Sequence, residues 1–113
     1  MNAILDKLPA LVKEELETAN ALHTVFHSMH EGYAVLREEV EEAAEELERV
    51  ADHVATLWNC IRNDDSVNAQ SFARRIEWAA VQMAAEAIQV AAMAQKFQAI
   101  EDGWTLKEKP EER

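Results

Sequence analysis

Glu38, Glu39, Glu41, Glu42, Glu45, Glu46 and Glu48 crowd one stretch of the chain. On a helix, at about 100° per residue, Glu39, Glu42 and Glu46 fall on one flank of an apolar seam and Glu41, Glu45, Glu48 and Asp52 on the other. Packed carboxylates repel. Either water solvates them as an acidic face, or Glu39 and Glu42 converge on a hard divalent cation, whose preferred ligands are carboxylate oxygens. Glu86 narrows the question, because it shares a helical face with Ala79, Met83, Val90 and Met93, a setting in which an unpaired carboxylate is costly. It needs a partner. Gln82 and Gln89, four residues before and three after, can donate hydrogen bonds to it, and a metal shared with the glutamate-rich helix is the other solution.

Other residues with chemical potential are less suggestive. His23, His27 and His30 have helical spacing, but Ser28 interrupts it as the start of a new helix, and no glutamate precedes a histidine by three as a di-iron carboxylate bundle requires. His30 reads as a local hydrogen-bonding group. Cys60, the one cysteine, allows neither an intrachain disulfide nor a sulfur-rich zinc site, and lies away from the seam. No glycine-rich loop is present to cradle phosphate, so a nucleotide has to be held through a metal and basic side chains.

The elements that must position these residues are helices. Ile4, Leu8, Leu11, Val12, Leu16, Ala19 and Leu22 recur at three- and four-residue steps, so a first helix is expected to about Phe26. Pro9 fits if it lies in the first turn; a start at Asn2 implies a kink instead. Ser28 followed by Glu31 has the spacing of a capping box, and a second helix follows with the seam Tyr33, Leu36, Val40, Ala43, Leu47, Val50, Val54, Leu57, Ile61. Ala44, Ala51 and Trp58 widen that stripe. The polar cluster Asn63, Asp64, Asp65, Ser66 and Asn68 supplies N-caps for a third helix from about Val67 to Ile100, with Gly103 as a stop signal. Between Ile76 and Phe97 this helix is apolar almost all round and must be covered on several sides. The expected architecture is all-α, an antiparallel bundle of long helices in one domain over residues 1–104, completed by homo-oligomerisation as a dimer or tetramer. Residues 105–113 read as a charged, disordered tail.

Composition sets the outer bounds. With 113 residues the chain holds one domain, and two glycines and two prolines are too few for the turns of a β-rich fold. Twenty-two acidic against eleven basic residues give a net charge of -11, which argues against direct contact with nucleic acid or an anionic membrane. No signal segment and no apolar stretch of spanning length is present, and the single cysteine agrees with a cytoplasmic location.

Two stretches resemble a known family. His30 to Leu47, HEGYAVLREEVEEAAEEL, resembles the metal-binding helix of the MazG-like, all-α nucleotide pyrophosphohydrolases, whose first motif, Glu-Glu-x-x-Glu, is met by Glu38, Glu39 and Glu42. Glu86 to Phe97, EAIQVAAMAQKF, resembles the third-helix segment of small phage-type members. The family's second motif is Glu-x-x-Asp; here Glu86-Ala87-Ile88-Gln89 puts Gln89 in the aspartate's place, and the gap from Glu42 to Glu86 exceeds the family's usual spacing.

The resemblance implies cleavage of the α–β bond of (deoxy)nucleoside triphosphates with release of pyrophosphate. It implies Glu38, Glu39 and Glu42 as catalytic residues, and Glu39, Glu42, Glu86 and Gln89 as ligands of Mg2+, with Mn2+ as a substitute. Lys96 on the third helix, or Arg74 and Arg75 near its start, are candidates to neutralise phosphate oxygens, and Trp58 or Tyr33 to stack on a base, although an aromatic residue on a seam also serves as core. Two alternatives stay open: a catalytically silent MazG-like bundle, and an interaction module whose acidic face binds a basic partner.

Overall fold

The computed structural model describes residues 2–22 and 25–100. The expected tail, Gly103 and His23 lie outside these residues. The described residues form three helices, α1 (Asn2–Leu22), α2 (Met29–Arg62) and α3 (Ser66–Gln98), and no strand. None is long and apolar enough to cross a membrane.

Local sequence sets each boundary. α1 starts at Asn2, so Pro9 lies inside it and beyond its first turn, and it ends at Leu22, earlier than its periodicity suggests. Phe26 is not part of α1; it is buried between α1 and α2 and packs into the core. Ser28 follows in extended backbone and accepts a hydrogen bond from Glu31 N at 3.1 Å. Only half of a capping box forms, because the Glu31 carboxylate meets His27 Nδ1 at 3.1 Å. At the other end, Asn63 Nδ2 donates to Asn59 O at 2.8 Å, and Asp64 takes a left-handed conformation with φ 54°. Asp65 then caps α3, accepting from Asn68 N at 3.1 Å and Asn68 Nδ2 at 2.7 Å.

This tight turn sends α3 back along α2, so that Gly32 at the start of α2 meets Phe97 at the end of α3 and Ile100 just beyond it. α1 packs chiefly on α3. The core lies where α1 and the Phe26 segment close over this pair: Val12, Phe26, Ala92, Met93 and Ile100 are buried, with Leu16, Ala19, Leu36, Ile88 and Phe97 against them. Covered by α2 and α1, α3 supplies the fully buried Ala92. The rest of the α2–α3 pair is thin. The radius of gyration is 18.5 Å, against about 13 Å for a compact domain of roughly this length.

Gly32 is required by close approach. A Cβ there lies 2.7 Å from Phe97 Cδ2 and 3.1 Å from Phe26 Cδ2 and Ile100 Cδ1. Alanine favours the helix by about 1 kcal/mol, but forcing aside two rings in the core costs about 1–3 kcal/mol. Gly32→Ala is therefore expected to lower the urea midpoint; an unchanged or higher midpoint means the rings move freely.

Candidate carboxylate centre

Glu39 and Glu42 stand one turn apart on α2, and the return of α3 brings Glu86 opposite them. One carboxylate oxygen from each lies within 4.8 Å of the other two, and all three side chains are half-buried. Three of the residues singled out in the sequence are thus brought together from two helices. Glu38, beside them in sequence, is exposed.

Crowding and burial shape their protonation. Burial first, then the charge of Glu42 and a proton shared with it, push the Glu86 carboxyl above the usual glutamate range, with Glu46 adding repulsion. Burial, followed by repulsion from Glu42, Glu86, Glu38 and Glu15, raises Glu39 as well. Gln89 offsets part of this. With its amide nitrogen turned toward the acids it donates to Glu39 Oε2 at 2.7 Å and to Glu86 Oε2 at 3.1 Å, whereas the opposite orientation sets oxygen against oxygen. In this state Gln89 clasps the two acids from α3 to α2; on turning its amide it presents an oxygen to the same space.

Two further acids border the centre, Glu46 on the flank expected of it and Glu15 unexpected. Glu15 belongs to no motif, and only the packing of α1 brings its charge within range of Glu39. Glu46 lies one turn beyond Glu42; its Oε1 accepts from Arg49 Nη1, while its buried Oε2 has no hydrogen-bond partner among the described residues.

The expected substrate-binding residues disperse. Arg74 and Arg75 line a cleft between α2 and α3 with Glu46 and Gln82 at its carboxylate end. Lys96 is buried at the opposite end of α3, its Nζ 4.8 Å from the centroid of the Phe26 ring. Trp58 is exposed and lies outside the cleft, and so is Tyr33; Trp78 is the tryptophan in its wall. His30 is exposed in the first turn of α2, and Cys60 is a free thiol.

Three half-buried carboxylates at this separation, two with raised proton affinity, can bind a hard cation through oxygen or share protons among themselves. No family model, curated protein or solved structure matches the chain.

Proposed function

We propose that the chain is a Mg2+-dependent pyrophosphohydrolase of nucleoside triphosphates, with Mn2+ as a substitute, built as an antiparallel helical bundle that a further copy completes. The observation that carries this reading is the meeting of Glu39 and Glu42 with Glu86 inside 4.8 Å. Oxygen ligands at that spacing suit a small hard cation, which relieves the repulsion that raises Glu39 and Glu86. When bound, such a cation polarises a phosphoryl oxygen and orients the attacking water.

The chain's own residues do the remainder. Glu39, Glu42 and Glu86 supply ligand oxygens, and Gln89 holds Glu39 and Glu86 in register. Arg74 and Arg75, in the adjoining cleft, neutralise phosphate oxygens that a chain of net charge -11 otherwise repels. The MazG-like spacing of Glu38, Glu39 and Glu42 supports the substrate class, and the neutral Gln89 lowers the charge of the ligand set, which weakens Mg2+ binding.

A screen for pyrophosphate release over nucleoside triphosphates, with Mg2+ and with EDTA, tests the proposal. Turnover is expected only with metal, and Glu42→Gln is expected to reduce it by about a hundredfold or more, the order found when a group stabilising developing charge is removed. No release from any triphosphate by the folded chain leaves the α2 acids as a solvated face and Glu86 as a hydrogen-bonded core carboxyl.

A further inference from the structure

One turn from the carboxylates, toward the α2–α3 turn, the two helices leave a cleft of about 640 Å3 whose walls carry Arg49 and His53 from α2 and Arg74, Arg75 and Trp78 from α3. Three guanidiniums gather here in a chain with twice as many acids as bases. In such a composition a basic group usually finds a carboxylate. Arg49 does so with Glu46. Arg74 and Arg75 form no ion pair with a described residue. The neighbours of Arg75 at three and four residues are Phe72, Trp78, Ser71 and Ala79, with no acid among them.

Aromatic packing holds the group in place. The Arg75 guanidinium lies 4.5 Å from the centroid of the Phe72 ring, which also meets the His53 ring at a centroid distance of 5.7 Å. A guanidinium stacked on a ring keeps its N–H groups free for an external acceptor. Trp78, 66% exposed in the same wall, presents a large uncovered ring. Unpaired like charges beside an open aromatic face form the complement of an anion that carries a flat ring.

We infer that this cleft binds a phosphate-chain anion through Arg74 and Arg75, assisted by Arg49, with Trp78 offering a stacking face to a ring attached to that chain. The anion part stands without the metal; the ring part deepens the nucleotide reading above and rests on it. Glu46 and Gln82, at the carboxylate end of the cleft, lie four residues from Glu42 and Glu86, or about 6 Å along each helix. Arg74 and Arg75 stand twelve and eleven residues from Glu86, about 17 Å along α3, so it is the Glu46–Gln82 end of the cleft that adjoins the carboxylates.

Calorimetry in EDTA separates the two readings. Inorganic pyrophosphate is expected to bind the native chain at low salt and to weaken as NaCl is added. The double variant Arg74→Gln, Arg75→Gln is expected to bind about tenfold more weakly or worse, on the scale of losing charge-assisted hydrogen bonds. Glu42→Gln is expected to keep metal-free binding, and pyrophosphate binding by a native chain that hydrolyses no triphosphate rejects the enzyme and keeps the site. ATP is expected to bind more tightly than pyrophosphate, with Trp78→Leu cancelling the difference and adenosine alone binding weakly. If the double variant loses helicity by circular dichroism, single Arg74→Gln, at an exposed position, gives the same direction. Absence of heat with both pyrophosphate and ATP, or a folded arginine variant binding as the native chain does, overturns the site; ATP binding unchanged in Trp78→Leu overturns the stacking face.

Discussion

Magnesium or manganese at ten times its dissociation constant is expected to raise the melting temperature of the native chain by roughly 5 °C and to leave that of Glu86→Gln unchanged. The size follows from linkage: a ligand that binds only the folded state at that excess contributes about 1.4 kcal/mol, and 1 kcal/mol moves the midpoint of a domain of this size by about 4 °C. Without metal the order reverses, and Glu86→Gln is expected to melt above the native chain, because an amide there removes a half-buried charge while keeping a hydrogen-bonding group for Gln89. Gln89→Asp is expected to act oppositely, lowering metal-free stability by adding a carboxylate and losing the clasp, and tightening metal binding. A flat response of the native chain to millimolar metal identifies the trio as a proton-sharing cluster and nothing more.

The same groups fix the pH dependence. Glu39 and Glu86 titrate above the ordinary value of 4.5 in the fold, so between that value and their raised ones the native state holds protons that the unfolded chain has released. Metal-free stability therefore climbs as pH falls through the raised values and stops climbing once the unfolded glutamates protonate as well. With metal the slope is opposite, since the cation displaces those protons and its stabilisation grows as pH rises. Thermal melts from pH 4.5 to 7.5, with EDTA and with Mg2+, check both signs; parallel curves mean that neither carboxyl is a ligand.

Much of this arrangement is legible in the sequence because helical periodicity and capping act locally. Apolar steps of three and four mark the first two helices, Ser28 marks the start of α2, a polar cluster that includes the observed cap Asp65 marks that of α3, and Glu86 on an apolar stripe announces its need for a partner. Even the meeting of Glu39, Glu42 and Glu86 follows once a tight turn at Asn63 to Asp65 folds α3 along α2. What sequence withholds is side-chain destination. Lys96 and Arg74 carry similar charges on one helix, yet packing against Phe26 buries the first while the second lines the cleft. The sequence points to Trp58 on the α2 seam, whereas Trp78, which belongs to no motif, is the tryptophan that lines the cleft. Gln89 reads as a missing aspartate, whereas its amide joins the acids it was expected to stand among. Phe26 carries apolar periodicity, but the cap at Ser28 breaks the chain ahead of α2 and turns its ring into the core.

If the exposed α2 stripe seats a second copy as proposed, a single charge at the middle of α2 is expected to keep the copies apart. The α2 seam divides into two interleaved sets, each spaced by seven. Leu36, Ala43, Val50 and Leu57 are half-buried within the chain, while Tyr33, Val40, Leu47, Val54 and Ile61 are 59%, 47%, 57%, 49% and 51% exposed. A seven-residue apolar repeat along a whole helix is the pattern that seats another helix, and α1, which packs on α3, does not cover it. Light scattering is therefore expected to give a mass at least twice 12.8 kDa at micromolar concentration. Leu47→Glu lies at the centre of the stripe. In a two-fold dimer it acts twice, forfeiting about 1.5 kcal/mol or more of leucine burial on each side and facing a desolvated carboxylate toward its mate. That total of about 3 kcal/mol weakens association by at least about a hundredfold, enough to leave monomer at concentrations where the native chain is assembled. Glu86 and Gln89 are untouched by the change, so the metal response of the monomeric variant also reports whether the carboxylate centre stands without a second copy. A native chain of 12.8 kDa in solution, or a Leu47→Glu variant of unaltered mass, removes this stripe as the interface.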